Sequence, residues 1–169
     1  LEAKKVLVND LRGTLFTIAK DVKIQVEFNP AKVQAYRLIG YENRLLRDQD
    51  FNDDTKDAGE IGAGHTVTAL YEIIPAGIES EIQLPTVDPL KYQQSNRASA
   101  ATSDELMQVK LRYKEPTGST SQLITGVIRD RNITAESASQ NLQFSAAVAM
   151  YGMLLRNSEF KGQANLETV

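Results

Sequence analysis

Three runs of this chain alternate apolar and polar residues with a period of two, the pattern of a strand with one face in a core and one in water. In "DVKIQVEFNP", Val22, Ile24, Val26 and Phe28 alternate with Lys23, Gln25 and Glu27, which puts the lysine on the wet face. In "KVQAYRLIGYE", Val33, Ala35, Arg37, Ile39 and Tyr41 share a face, and Tyr36 with Leu38 implies some burial on the other. In "ELMQVKLRYKE", Leu106, Gln108, Lys110 and Arg112 stand opposite Met107, Val109, Leu111 and Tyr113. A chain built on such runs is committed to a largely antiparallel sheet.

Weaker strands complete the count. "HTVTALYEIIP" is ended by Pro75-Ala76-Gly77, and a faint run follows from Ile78 to Leu84. "STSQLITGVIRD" is rich in branched residues and is separated from the strand before it by the turn signal "EPTGST". Asn29-Pro30 stops the first alternating run, and the short connection there predicts that the first two strands pair as a hairpin. Residues 85–103 carry two prolines and many small polar side chains and read as a long exposed connection.

Both ends of the chain switch to helical spacing. Leu7, Leu11, Leu15 and Ile18 form a stripe over residues 2–19, although "TLFTI" also suits a strand and Gly13 weakens the helix. Near the other end, Phe144, Val148, Tyr151 and Leu155 mark the apolar face of an amphipathic helix, widened by Ala147, Met150 and Leu154. Ser137 with Gln140 has capping-box form, with Ser139 as the alternative cap, and Asn157-Ser158 and Lys161-Gly162 mark the stop. The expected fold is therefore α+β: a mainly antiparallel sandwich or curled sheet, closed by the C-terminal helix packed on it.

Composition narrows the function classes. Apolar residues make up 41% and charged residues 24%, with a formal charge of -3, so there is no electrostatic case for nucleic acid. No apolar run approaches the roughly 18 residues that cross a bilayer. Zero cysteines exclude disulfides, thiolate chemistry and cysteine metal sites.

One stretch invites a metal reading, "RDQDFNDDTKDAGEIGAGH". Counted from Asp50, an EF-hand register places Asp50, Asn52 and Asp54 correctly, but Thr55 stands where glycine belongs and Ile61 where the bidentate glutamate belongs. A different calcium site from Asp50, Asn52, Asp53, Asp54 and Asp57 is the remaining metal candidate. The commoner use of such residues is to cap their own backbone turns at a surface. The glycines of "GEIGAG" precede a strand and lack a following lysine, unlike a phosphate loop.

His65 is the chain's only histidine. It could act as a general base, but Thr66 and Thr68 beside it carry no nucleophile motif. Between Gly62, Gly64 and the following strand, a structural part in the loop is the plainer role. Tyr36, Tyr41, Tyr71 and Tyr113 lie in strands and suit a core or its rim. Asn132-Ile133-Thr134 matches a glycosylation sequon that nothing else in the sequence supports.

"TLFTIAKDVKIQVEFNPAKVQAYRLIGYENRLL", "DFNDDTKDAGEIGAGHTVTALYEIIP", "VKLRYKEP" and "FSAAVAMYGMLLRNSEFKG" closely resemble the C-terminal region of bacterial proteins that contain a von Willebrand factor type A domain. There this region is a domain of unknown function directly after the type A domain. The resemblance covers nearly the whole chain and weakens over 85–103. It implies that residues 1–20 are the terminal helix of a preceding type A domain, 21–160 a β-rich domain with its closing helix, and 161–169 a loose tail. The DxSxS metal loop of type A domains is absent, so no metal ligand carries over, and no catalytic residue or cofactor is implied.

The function expected on this basis is a non-enzymatic accessory or protein-interaction module. Its partners would be the preceding type A domain and other proteins, in a parent at the cell envelope, periplasmic or membrane-anchored through its N-terminal part. The alternatives are a calcium-dependent binding module using the 50–57 loop and a hydrolase centred on His65.

Overall fold

The computed structural model describes residues 16–40, 45–79, 103–165 and 167. Its strands are β1 (Thr17–Phe28), β2 (Val33–Ile39), β3 (Gly59–Gly62), β4 (Leu70–Pro75), β5 (Glu105–Lys114) and β6 (Gln122–Arg129), followed by one helix, α1 (Gln140–Leu155). They form two antiparallel sheets, one in the order β3-β1-β5-β6 and one pairing β2 with β4. The α+β composition agrees with the sequence pattern.

β1 occupies residues that helical spacing had claimed, since Thr17 to Ala19 are strand. The rest of that N-terminal stripe, Tyr41, and the 85–102 connection lie outside the described residues. β5 and β6 fall where period two and branched residues placed them, joined at Pro116–Ser121 as a hairpin in register from Met107–Ile128 to Tyr113–Gln122. The expected β1–β2 hairpin does not form. Asn29 instead makes a corner: its carbonyl accepts from the N–H groups of Lys32 and Val33, both at 2.9 Å. Its own N–H and side-chain amide donate to the Leu106 and Glu105 carbonyls of β5 at 2.9 and 2.8 Å. The chain thus leaves one sheet and enters the other.

The two sheets meet at an aromatic cluster. Phe28 of β1 lies 4.5 Å from Tyr36 of β2 and 5.4 Å from Tyr71 of β4, centroid to centroid. Phe28, Val33 and Phe51 are the buried apolar residues among those described.

α1 starts as the sequence allows, but on the second of its two candidate caps. Ser139 Oγ accepts from Leu142 N–H at 3.3 Å, while Ser137 sits in the preceding 3-10 turn, hydrogen-bonded to Thr134. Asn157, in the left-handed region at φ 49°, ends the run. The helix does not close the four-stranded sheet. It lies beside β2, where Arg37 donates to Met153 Sδ at 3.4 Å and stacks over the Phe160 ring at 4.3 Å. The stripe predicted to be its packed face points outward: Phe144 is 72% exposed and Leu155 68%. None of its sixteen residues is charged, so apolar side chains run all the way round, and Ala149, Gly152 and Met153 line a recess shared with β2.

Candidate functional site

A bulge in β1 organises the polar loop. Register slips between Lys20 and Lys23, and Asp21 takes φ 51° there. Just after the slip the burial of β1 is the reverse of the alternation expected, with Lys23 3% exposed and Ile24 48% exposed, and the expected order returns at the exposed Glu27 and buried Phe28. Lys23 stands opposite Arg112 of β5, and Lys114 is two residues further along the same face. Residues 47–58 lie over this cationic face, so an acidic loop covers a basic patch of sheet.

Each cation has a defined seat. Lys23 Nζ donates to the backbone carbonyls of Asp50, at 3.1 Å, and Asp53. Lys114 Nζ donates to Asp21 Oδ2 at 2.6 Å and to the Asp54 carbonyl at 2.7 Å. Arg112 reaches Asn52 Oδ1 at 3.1 Å and Ser121 Oγ at 2.7 Å, with its guanidinium 5.6 Å from the centre of the buried Phe51 ring. A loop whose carbonyls converge on a positive centre is how proteins hold calcium. Here the positive centres are lysine ammonium groups belonging to the fold.

The five candidate metal ligands diverge. Asp50 pairs with Arg47 at 2.9 Å, and Asn52 accepts from Arg112. Asp53 Oδ1 accepts from Thr55 N–H and Oγ1 at 2.9 and 2.7 Å, an Asx turn of the ordinary kind. Asp54 Oδ2 accepts from Ser121 N–H at 3.3 Å, and Asp57 is exposed. Among the described residues no three acidic or histidine side chains are grouped to share an ion.

The electrostatics follow the contacts. The hydrogen bond from Lys114 holds the Asp21 carboxyl below the usual aspartate range, helped by the Ala58 N–H, with desolvation opposing. Asp53 is lowered chiefly by Thr55, and Asp54 chiefly by Ser121. Burial raises the Tyr71 phenol, with Tyr36 adding to it.

Gly62 and Gly64 shape the end of the loop. Gly62 pairs with Thr17 across β3–β1, and Gly64 takes φ 75°, a conformation that favours glycine. The His65 N–H closes the turn on the Gly62 carbonyl at 3.1 Å. Its side chain is exposed, and no hydrogen bond from the ring to an acid or a hydroxyl occurs among the described residues. Sequence reasoning singled out the aspartates and His65 but missed Lys23, Arg112 and Lys114. The signal was present: three cations on strands facing a run of aspartates elsewhere in the chain.

A second concavity, of about 620 Å³, opens between the end of β2 and α1, lined by Arg37, Ile39, Gly40, Gly152, Met153 and Phe160 among others. Arg37 is engaged with Glu72 there, and Arg156 and Glu159 also line the recess.

Against known proteins, residues 13–169 match the family described as "Uncharacterized protein YfbK, C-terminal". The chain is 43% identical over 169 residues to the Escherichia coli (strain K12) protein of that name, covering 99% of this chain and 28% of the relative. It therefore spans under a third of the length of the curated relative it matches. No solved structure matches. With a family match over nearly its whole length, this chain belongs to the family of YfbK C-terminal domains.

Proposed function

We propose that this chain is a non-enzymatic accessory and protein-interaction module, attached to a von Willebrand factor type A domain that precedes it in a bacterial envelope protein. The observation that carries the reading is the open apolar face of the four-stranded sheet. Across β1, β5 and β6 the rows Ile24–Leu111–Ile124 and Phe28–Met107–Ile128 stand on one side; Phe28 is buried there against Tyr36 and Tyr71 of the second sheet, whereas Ile24, Ile124 and Ile128 are 48%, 52% and 41% exposed. An apolar sheet face needs a covering layer. α1, equally apolar, sits beside β2, and among the described residues Ile24, Ile124 and Ile128 stay open.

The matched family is a C-terminal region, and 28% coverage of the relative leaves a long preceding polypeptide to supply the cover. The polar loop supports the same reading, because the backbone carbonyls of Asp50, Asp53 and Asp54 and the Asn52 amide seat it on Lys23, Lys114 and Arg112. The type A identity of the preceding region and the envelope location rest on the sequence resemblance.

Calorimetric titration of the separately produced preceding region into this chain tests the proposal. Binding is expected, with loss in Ile24→Glu or Ile124→Glu. Absence of heat, together with a longer polypeptide whose two parts melt as they do alone, would sink it. Fractionation of cells expressing the full-length protein tests the envelope assignment.

A further inference from the structure

β6 is a bare edge. Among the described residues it pairs with β5 on one side and with no strand on the other, and all eight of its residues are exposed. Natural edge strands are guarded by lysine, proline, bulges or an inward charge. "QLITGVIR" has none of these along its length; Arg129, at its last position, is turned to Asp104 at 3.0 Å and Glu105 at 3.8 Å of the neighbouring strand. A row of free backbone groups with aliphatic side chains on both faces is a template for strand addition.

We propose that this edge pairs with β6 of a second copy, antiparallel, about a two-fold axis through Thr125. Edge-to-edge antiparallel pairing of identical strands requires an axis normal to the sheet, so each residue faces one of its own parity. Centred on Thr125, Leu123 lies opposite Val127 of the second copy, Thr125 opposite Thr125, and Ile124 opposite Gly126. Aliphatic pairs flanking a threonine pair are favourable cross-strand neighbours. Arg129 falls opposite Ser121, away from its symmetry mate, so no like charges meet. This self-complementarity selects a second copy over an unrelated strand. The product is one sheet in the order β3-β1-β5-β6-β6-β5-β1-β3, whose remaining edges are the four-residue β3.

The axis runs through the sheet, and the variants that test it sit at Leu123 and Val127, on the face opposite Ile24 and Ile124, so the two ideas fail separately. Sedimentation velocity of the 169-residue chain over a micromolar concentration series is the experiment, with circular dichroism confirming that each variant is folded. A concentration-dependent dimer is expected, weakened by roughly tenfold or more in Leu123→Lys and in Val127→Lys. The double variant Leu123→Lys/Val127→Glu sets opposite charges face to face on this axis and is expected to recover the dimer. Hydrogen exchange should slow at 122–129 on dimerisation. A chain monomeric at every concentration would overturn the proposal, as would a dimer indifferent to the single variants or a double variant that stays monomeric.

Discussion

Lys23 shows how a single side chain can reverse the reading of a strand. Its place in an alternating run assigns it to water, yet it is buried and Ile24 is open, because the Asp21 bulge shifts the register and the loop lies over the lysine side. Nothing local encodes that inversion, since the covering residues come roughly thirty positions later. Replacing the ammonium with a methyl-thioether should leave two buried carbonyls unmatched, so Lys23→Met should lower unfolding free energy by about 1–3 kcal/mol in urea denaturation. Asp21 provides a pH signature. Its folded pKa lies below the unfolded value, so the stabilisation is complete above the ordinary aspartate range, about pH 4, and is lost as pH falls through the depressed folded value. Acid unfolding of Asp21→Asn, followed by circular dichroism, should accordingly be less steep across that window than that of the parent.

At the scale of elements, what could be read depended on where the hydrogen-bond partner lies in the chain. The β5–β6 hairpin was legible because both strands and their turn are contiguous. The β1–β2 pairing was misread because Asn29 looks like a hairpin turn but is hydrogen-bonded to β5, a partner that local spacing cannot reveal. β3 reads as loop because its four residues, "GEIG", offer one apolar side chain, and its strand form depends on pairing with β1. The helix was legible in extent but not in orientation, since a helix apolar all round has no face that sequence can single out. Ser139→Ala should cost about 1 kcal/mol of helix stability. Because α1 is attached mainly by Arg37 and the turn after it, the loss should show as faster hydrogen exchange at 140–155 with the sheet unchanged.

For the molecule as a whole, the cationic patch and the acidic loop bear on the calcium question directly. With carbonyls seated on Lys23 and Lys114, a metal ion would have to displace a tethered charge. The melting temperature followed by circular dichroism should be the same in EDTA and in calcium, and Asp53→Asn/Asp54→Asn should not create a difference. A saturating calcium-dependent rise would contradict this. The α+β composition and most strands were visible in the sequence; the two-sheet division and the open apolar faces were not, because they depend on pairings spread across the chain. Those same pairings set a schedule for synthesis. β1 sits between β3 and β5, and β5 begins roughly eighty residues after β1 ends. At about 5–20 residues per second, a ribosome leaves the edge of β1 that β5 will take unpaired for several seconds or more. Val26 and Phe28 meanwhile lack their sheet neighbours, so the nascent chain, rather than the finished fold, is the form most in need of a chaperone.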